Sequence, residues 1–405
     1  MKFMDSFGAT MAPVMQGKQV PFGVNGQFQQ AQRLLGVPSS LAYYDAEVQL
    51  ELTLLTAEYY GIMPQYAWDK YNWEAEALGQ KMLVHGYSIP DIDTREPLIR
   101  TAADIEKLRW PTSNPLDAGR YPIELQLSDL AVKYYPYQVT NILCVSSFSL
   151  ACNLCGGSEF LTMPLEEPEF CHALLTKITD DIHTPLVKAI AERFPGITVS
   201  FADAWEVLPN VSESIMREFA WAYYDRLKEN TKNDKINLQW FVAYGEQYMK
   251  DPYAFLVEKA VKYSYMINDT NLEKCDPENY HRAAMDTGLM LTAYIPSSVI
   301  QEKDKNRVIE YVRNMAKRLR PGVQKFMWFL MCPATSTEYD IKAAIEIVKA
   351  FSSNPFSSPE DADKISVTLP EVQETFCDFV LRKAEENPDG YTFKWLDKSR
   401  FSPQG

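Results

Sequence analysis

The chain has 405 residues, of which 46% are hydrophobic and 23% charged, and its net charge is −14. That is enough apolar material for a large core, arranged as one barrel with extensions or as two domains. The acidity argues against nucleic acid, because no Lys/Arg cluster could neutralise a run of phosphates, and it also disfavours anionic membranes and polyanionic substrates.

The start, Met1-Lys2-Phe3-Met4-Asp5, carries a charge early and has no apolar h-region, so a secretory signal is not expected. No stretch approaches the ~20 apolar residues of a membrane span. Seven cysteines are too few and too odd for a disulfide scaffold, so reduced thiols in the cytoplasm are expected. The first short apolar run is Phe22–Asn25, and the segment around Tyr66–Tyr71 offers another. Residues 74–135, rich in Pro, Asp and Arg, read as an insertion before the next strand, Asn141–Ser147. From there the chain alternates. Apolar runs at Ile197–Phe201, Ile236–Val242, Tyr263–Ile267, Leu289–Ile295 and Phe326–Met331 are separated by helical patterns. One such pattern is Ile215, Phe219, Tyr223, Leu227; a second is Val308, Val312, Met315, Leu319. A third is Ile341, Ala344, Ile345, Val348, with Thr337 and Asp340 spaced as a capping box at its start.

Continuous apolar strands separated by helices indicate a parallel sheet covered on both faces. Eight units would close a (β/α)8 barrel, the expected α/β fold; a doubly wound open sheet has the same periodicity. We expect one domain with its barrel core at about 20–352. Residues 353–405, with one more helix near 369–386, form a C-terminal extension suited to a lid or to an oligomer contact such as a homodimer.

Several segments, in order, resemble the uroporphyrinogen decarboxylase superfamily. Arg95-Glu96-Pro97-Leu98-Ile99 and Ala103-Asp104-Ile105-Glu106-Lys107-Leu108 look like its pre-barrel region. Phe148-Ser149-Leu150-Ala151 through Gly156-Gly157 looks like its turn and helix start, and Phe201-Ala202-Asp203 like its strand-Asp turn. Tyr244-Gly245-Glu246 stands where a characteristic Gly follows a strand, and Met331-Cys332-Pro333 leads into the usual final helix. The resemblance covers roughly residues 20–352 and implies a (β/α)8 barrel with one of two chemistries: decarboxylation of porphyrinogen side chains, or methyl transfer involving a corrinoid cobalt.

The decarboxylases carry an N-terminal Arg-Gln-Ala-Gly-Arg motif, whereas Gly26-Gln27-Phe28-Gln29-Gln30-Ala31-Gln32-Arg33 has one Arg and no basic clamp. The better-known methyltransferases hold zinc with a His-x-Cys pair and a Cys after the last strand. Here Cys332 matches the last, but Val242-Ala243-Tyr244-Gly245 replaces the pair, so a zinc site lacks its usual ligands. The implied activity is therefore demethylation of a small donor, with a phenyl methyl ether suggested by the aromatic content. The methyl acceptor would be cob(I)alamin on a separate corrinoid protein. Asp181-Ile182-His183-Thr184-Pro185-Leu186 begins like a corrinoid-binding motif but lacks its Gly, so the corrinoid would come from that partner. The alternative is a lyase acting on a smaller, less charged carboxylic acid; a non-catalytic assembly protein is the third reading.

In a barrel, strand C-termini carry the chemistry. Asp203 is the first candidate for acid or substrate anchor, against a role as N-cap or ion-pair member. Glu246 and Tyr244 are the next proton donors, although Glu246 also suits the positive end of a helix. Asn268 and Asp269 could bind substrate or simply form a turn. Trp240, Trp328 and Phe329 could wall an aromatic pocket or pack as core. Cys332 could ligate a metal or be a small buried hydrophobe. The single Cys152-Asn153-Leu154-Cys155 has no second pair and reads as packing.

Overall fold

The computed structural model describes residues 12–64, 72–132, 141–241, 245–264, 266–269, 275–386 and 391–401. Seven strands form two parallel sheets among these residues. We label them β1 (Phe22–Asn25), β2 (Asn141–Val145), β3 (Thr198–Ala202), β4 (Asn237–Phe241), β5 (Ile267–Asp269), β6 (Leu291–Ile295) and β7 (Phe326–Met331). One sheet runs β2-β3-β4 and the other β1-β7-β6-β5. Within each sheet strands consecutive in sequence are neighbours, and β1 pairs with the last, Gly23 opposite Phe329, which is the order of a sheet rolled towards closure. The Tyr66–Tyr71 segment, expected to add a strand between β1 and β2, lies outside the described residues.

Helices follow the strands as the periodicity requires. The stretch 213–231 is continuously helical around a π turn at Met216–Trp221, and its Ile215, Phe219, Tyr223 and Leu227 are buried. The helix Glu338–Ala350 starts at the expected Thr337/Asp340 capping box. One expected strand is displaced. Tyr263 ends the helix Pro252–Tyr263, completing its buried face with Phe255, Leu256, Lys259 and Ala260, and Ser264 at φ 53° stops it. The strand is Ile267–Asp269 instead. An apolar residue served a helix face where a strand was expected.

Residues 74–135 hold a short helix Trp73–Ala77, an antiparallel ribbon pairing Met82–Leu83 with Asp91–Ile92, and the helix Tyr121–Ala131. Arg120 anchors this region: nearly buried, it pairs with Glu76 and lies over the rings of Tyr44 and Trp73. In the C-terminal extension the helix is Phe376–Glu386, later than expected, because Thr375 caps it by accepting from Asp378 N. The extension packs on the helices Gln27–Leu35 and Ala46–Tyr60: Lys383 pairs with Glu58 at 2.6 Å, and buried Glu51 accepts from Phe393 N and Trp395 Nε1.

Candidate functional site

A cavity of about 570 Å³ opens beyond the C-terminal ends of β2 and β3, bounded by Val145 and Ala202. Strand alternation explains its position. Phe201 pairs with Trp240, and both turn outward, Phe201 edge-on to His183 and Trp240 stacked on Tyr224 of the helix layer. Ala202 and Val145, one residue on, therefore face the other way, where small side chains leave room. Ile89 and Ile92 from the insertion supply an apolar wall.

The polar wall is a continuous hydrogen-bonded chain. Trp205 Nε1 donates to Asn153 Oδ1 at 3.1 Å, Asn153 Nδ2 to Asn72 Oδ1 at 3.2 Å, and Asn72 Nδ2 to Asp91 Oδ1 at 3.1 Å. Ser149 also lines the cavity; one turn before Asn153, it presents its side chain on the same helix face. Its hydroxyl accepts from Trp205 N at 3.1 Å and donates to Asp203 Oδ1 at 2.5 Å. Among the described residues no Lys or Arg lines this cavity.

Asp203 stands one layer behind the wall. It shares strand parity with Phe201 and turns into the helix layer, fully buried. Ser146, Ser149 and Tyr224 all donate to it. Burial raises its pKa, opposed by those hydroxyl bonds. Asp203 thus reaches the cavity only through Ser149, which corrects the expectation that it contacts substrate itself. Tyr224 also bonds Glu206, another fully buried carboxyl, whose pKa burial pushes well above the usual range.

The other expected site residues are placed differently. Glu246 is buried in an ion pair with Lys259 and accepts from Tyr280 OH at 2.8 Å, so it is engaged in the core and is no available acid. It does open a short 3-10 turn, behind Gly245 at φ 104°, where a Cβ would lie 2.4 Å from Leu208 O. Tyr244 lies outside the described residues. Trp240 and Trp328 are 1% and 0% exposed and pack as core on the helix side, which removes them as walls of this cavity. In β7 the fully buried Phe326, Trp328 and Leu330 alternate with partly open Met327, Phe329 and Met331. Phe329 shares this open face with Tyr294, 5.1 Å between ring centres, and Asn268 Nδ2 donates to Tyr294 OH at 3.3 Å. Phe329 and Asn268 therefore face the interior from the other sheet and do not line the cavity. Asp269 ends β5, opposite Ala293.

Cys332 is buried, its thiol pushed up to about 12 by desolvation. Among the described residues no three His, Cys, Asp or Glu side chains gather as a metal site. Cys332 therefore has no companions there, and these residues do not fit the zinc centre that the family resemblance suggests. Cys152 and Cys155 are buried, unpaired and protonated, as packing residues would be. His183 is buried with its pKa lowered to about 3, bonded through Nδ1 to Ser147 Oγ at 3.0 Å. It is a core histidine.

Asn72, Asp91, Asn153 and Trp205 were not foreseen. The i, i+4 spacing of Ser149 and Asn153 on a helix that starts at a strand end was a readable signal; Asp91 gave none, because only tertiary folding brings the ribbon to the strand ends.

The family model for uroporphyrinogen decarboxylase (URO-D) matches residues 18–262. A solved structure of a methyltransferase from Methanosarcina mazei is similar at 13% identity, covering 84% of this chain and 97% of that one with a TM-score of 0.61. That likeness is one of fold. No curated protein matches the chain significantly. No helix among the described residues is long and apolar enough to cross a membrane. The seven described strands fit the (β/α)8 barrel, and the match spans more than half of the sequence, including the strand-Asp turn at Asp203 and the positive-φ Gly245. The chain belongs to the uroporphyrinogen decarboxylase family.

Proposed function

We propose that this protein is a methyltransferase that takes a methyl group from a small, uncharged donor, such as a phenyl methyl ether, and passes it to a corrinoid carried by a separate protein. The observation that carries the reading is the cavity itself. It joins an apolar wall (Ile89, Ile92, Val145) to an indole-amide chain that ends on Asp91, and among the described residues no cation lines it to receive carboxylates. A polycarboxylate there would lose its hydration without gaining a counter-charge. A methoxylated ring suits the same walls, with Trp205 available for ring contact.

In this reading the chain aligns the donor methyl towards the open mouth and excludes water around it. The departing oxygen needs a hydrogen-bond donor. Thr94 and Asn210 line the cavity with side chains that can donate to it, while Ser149, whose proton is held by Asp203, keeps its place in the wall. Glu246 is left as a structural ion pair. The corrinoid is a substrate brought by its own protein, and no step depends on a metal held by this chain.

The test is an anaerobic assay with reduced corrinoid, free and protein-bound, against methoxyarenes, methylamines and methylthiols. Conversion of the Co(I) spectrum to methyl-Co(III) with methoxyarenes is the expected result. Loss of carbon dioxide from a small carboxylic acid without any corrinoid would replace this reading with a lyase.

A further inference from the structure

We infer that Glu206 holds the one carboxyl proton of a buried Asp203–Tyr224–Glu206 triad, and so acts as the positioning residue that keeps Asp203 anionic and Ser149 and Trp205 fixed at the cavity wall.

The first argument is a proton count. Tyr224 OH touches Asp203 Oδ2 and Glu206 Oε2. A phenol has one proton and can donate to only one of them. If both carboxyls were ionised, the second contact would press an oxygen lone pair against an anion. One carboxyl must therefore carry a proton.

The second argument says which one. Asp203 is surrounded by donors: Ser146 and Ser149 hydroxyls, the Tyr224 hydroxyl, and the Glu206 backbone N–H at 3.3 Å. Four donors around one carboxyl favour the anion. Glu206 meets Tyr224 and the Asp203 carboxyl itself, and its Oε1 is buried with no hydrogen-bond partner among the described residues. An orphaned oxygen is tolerable as the carbonyl of a neutral acid and costly as half of an anion. The carboxyl proton therefore sits on Glu206 Oε2, and Tyr224 O–H donates to Asp203.

The third argument is charge. The groups facing the triad are Lys259 and Tyr263 from the helix Pro252–Tyr263, Cys152 from the helix Ser147–Leu154, and Glu246 with its partner Tyr280. Lys259, the cation among them, is already paired with Glu246. With Glu206 neutral, the described residues of this region carry one uncompensated anion, Asp203, held by four donors. An ionised Glu206 would add a second with none to spare. Burial acts in the same direction, raising the Glu206 pKa well above its ordinary value.

The consequence for the site follows through Ser149. Asp203 as an anion fixes the Ser149 hydroxyl as a donor, whose lone pair then receives Trp205 N. This placement gives the reading proposed above its aligned Ser149, and it rests on that reading only for its catalytic meaning.

The test compares Glu206→Gln and Asp203→Asn by melting temperature as pH rises. A group whose folded pKa is raised stabilises the protein fully below its unfolded value of 4.5, and that stability is lost as pH climbs towards the folded pKa. Glu206→Gln, whose amide can donate to Tyr224 in place of the acid, should melt near the wild type below pH 4.5 and lose the decline that Glu206 causes above it, so that at neutral pH it melts at or above the wild type. Asp203→Asn, which points an amide N–H at hydroxyl donors, should melt several degrees lower at every pH. Equal damage from both substitutions, the reverse ranking, or an unchanged pH profile in Glu206→Gln overturns the inference. Failure of the methyl-transfer assay would not touch these outcomes, and success there would not rescue them.

Discussion

His183 illustrates how a single buried group writes a pH dependence. Its imidazole is 0% exposed, bonded only through Nδ1, and burial lowers its pKa to about 3. A base held neutral in the folded state stabilises fully above its unfolded value of 6.5 and loses that contribution as pH falls towards the folded value. The protein should therefore weaken from pH 6.5 downwards, opposite in sign to the Glu206 effect. Denaturant titrations of His183→Leu should show a shallower acid decline than the wild type. An identical decline would place the acid sensitivity elsewhere. Residue types announced this chemistry in part. Asp203 after an apolar strand was legible as important, but its direction was not. Strand parity turned it behind Ser149, and its partners Tyr224 and Glu206 come from a helix and a loop that composition does not connect.

Elements were the most legible scale. Phe22–Asn25 and Phe326–Met331 stand where the apolar runs placed them, because a strand covered on both faces must be apolar at consecutive positions. The helix Glu338–Ala350 begins at its capping box: Thr337 Oγ1 accepts from Asp340 N at 3.1 Å, and Asp340 Oδ2 accepts from Thr337 N at 3.1 Å. Asp340 also pairs with nearly buried Lys305 at 2.6 Å, tying this helix to the helix Lys305–Leu319. Thr337→Ala should cost about 1 kcal/mol of stability, read as a lower denaturation midpoint with an unchanged slope. A change in slope instead would mean that the unfolded or native ensemble had altered. Tyr263 and the late start of Phe376–Glu386 were misplaced in the sequence, because an apolar residue at an element boundary belongs equally to a helix face and to a strand until neighbours choose.

At the scale of the whole molecule, the C-terminal extension acts as a strap on the outer helices. Phe376 is fully buried beside Tyr59 and Tyr60, with ring centres 5.1 and 6.5 Å away, and Tyr59 OH donates to Glu374 O at 2.8 Å. Arg320, buried without an acid partner, holds the root of the strap through Ser353 O at 3.1 Å and Asn354 Oδ1 at 2.7 Å. Removing the Phe376 ring leaves a large cavity, so Phe376→Ala should cost about 3–5 kcal/mol. A loss below about 1 kcal/mol would show that the strap adds little to the barrel's stability.

The sequence by itself determined the α/β alternation, the acidic net charge, the lack of the Arg-Gln-Ala-Gly-Arg motif and the family likeness. Each of these is a property of local pattern or composition, which does not depend on where distant residues meet. Only the tertiary structure decided the site. Rolling the sheets brought the Asp91 ribbon against Ser149, Asn153 and Trp205, while alternation turned Trp240 and Trp328 into the helix layer. A cavity is made by contacts between segments far apart in sequence, and periodicity carries no information about those.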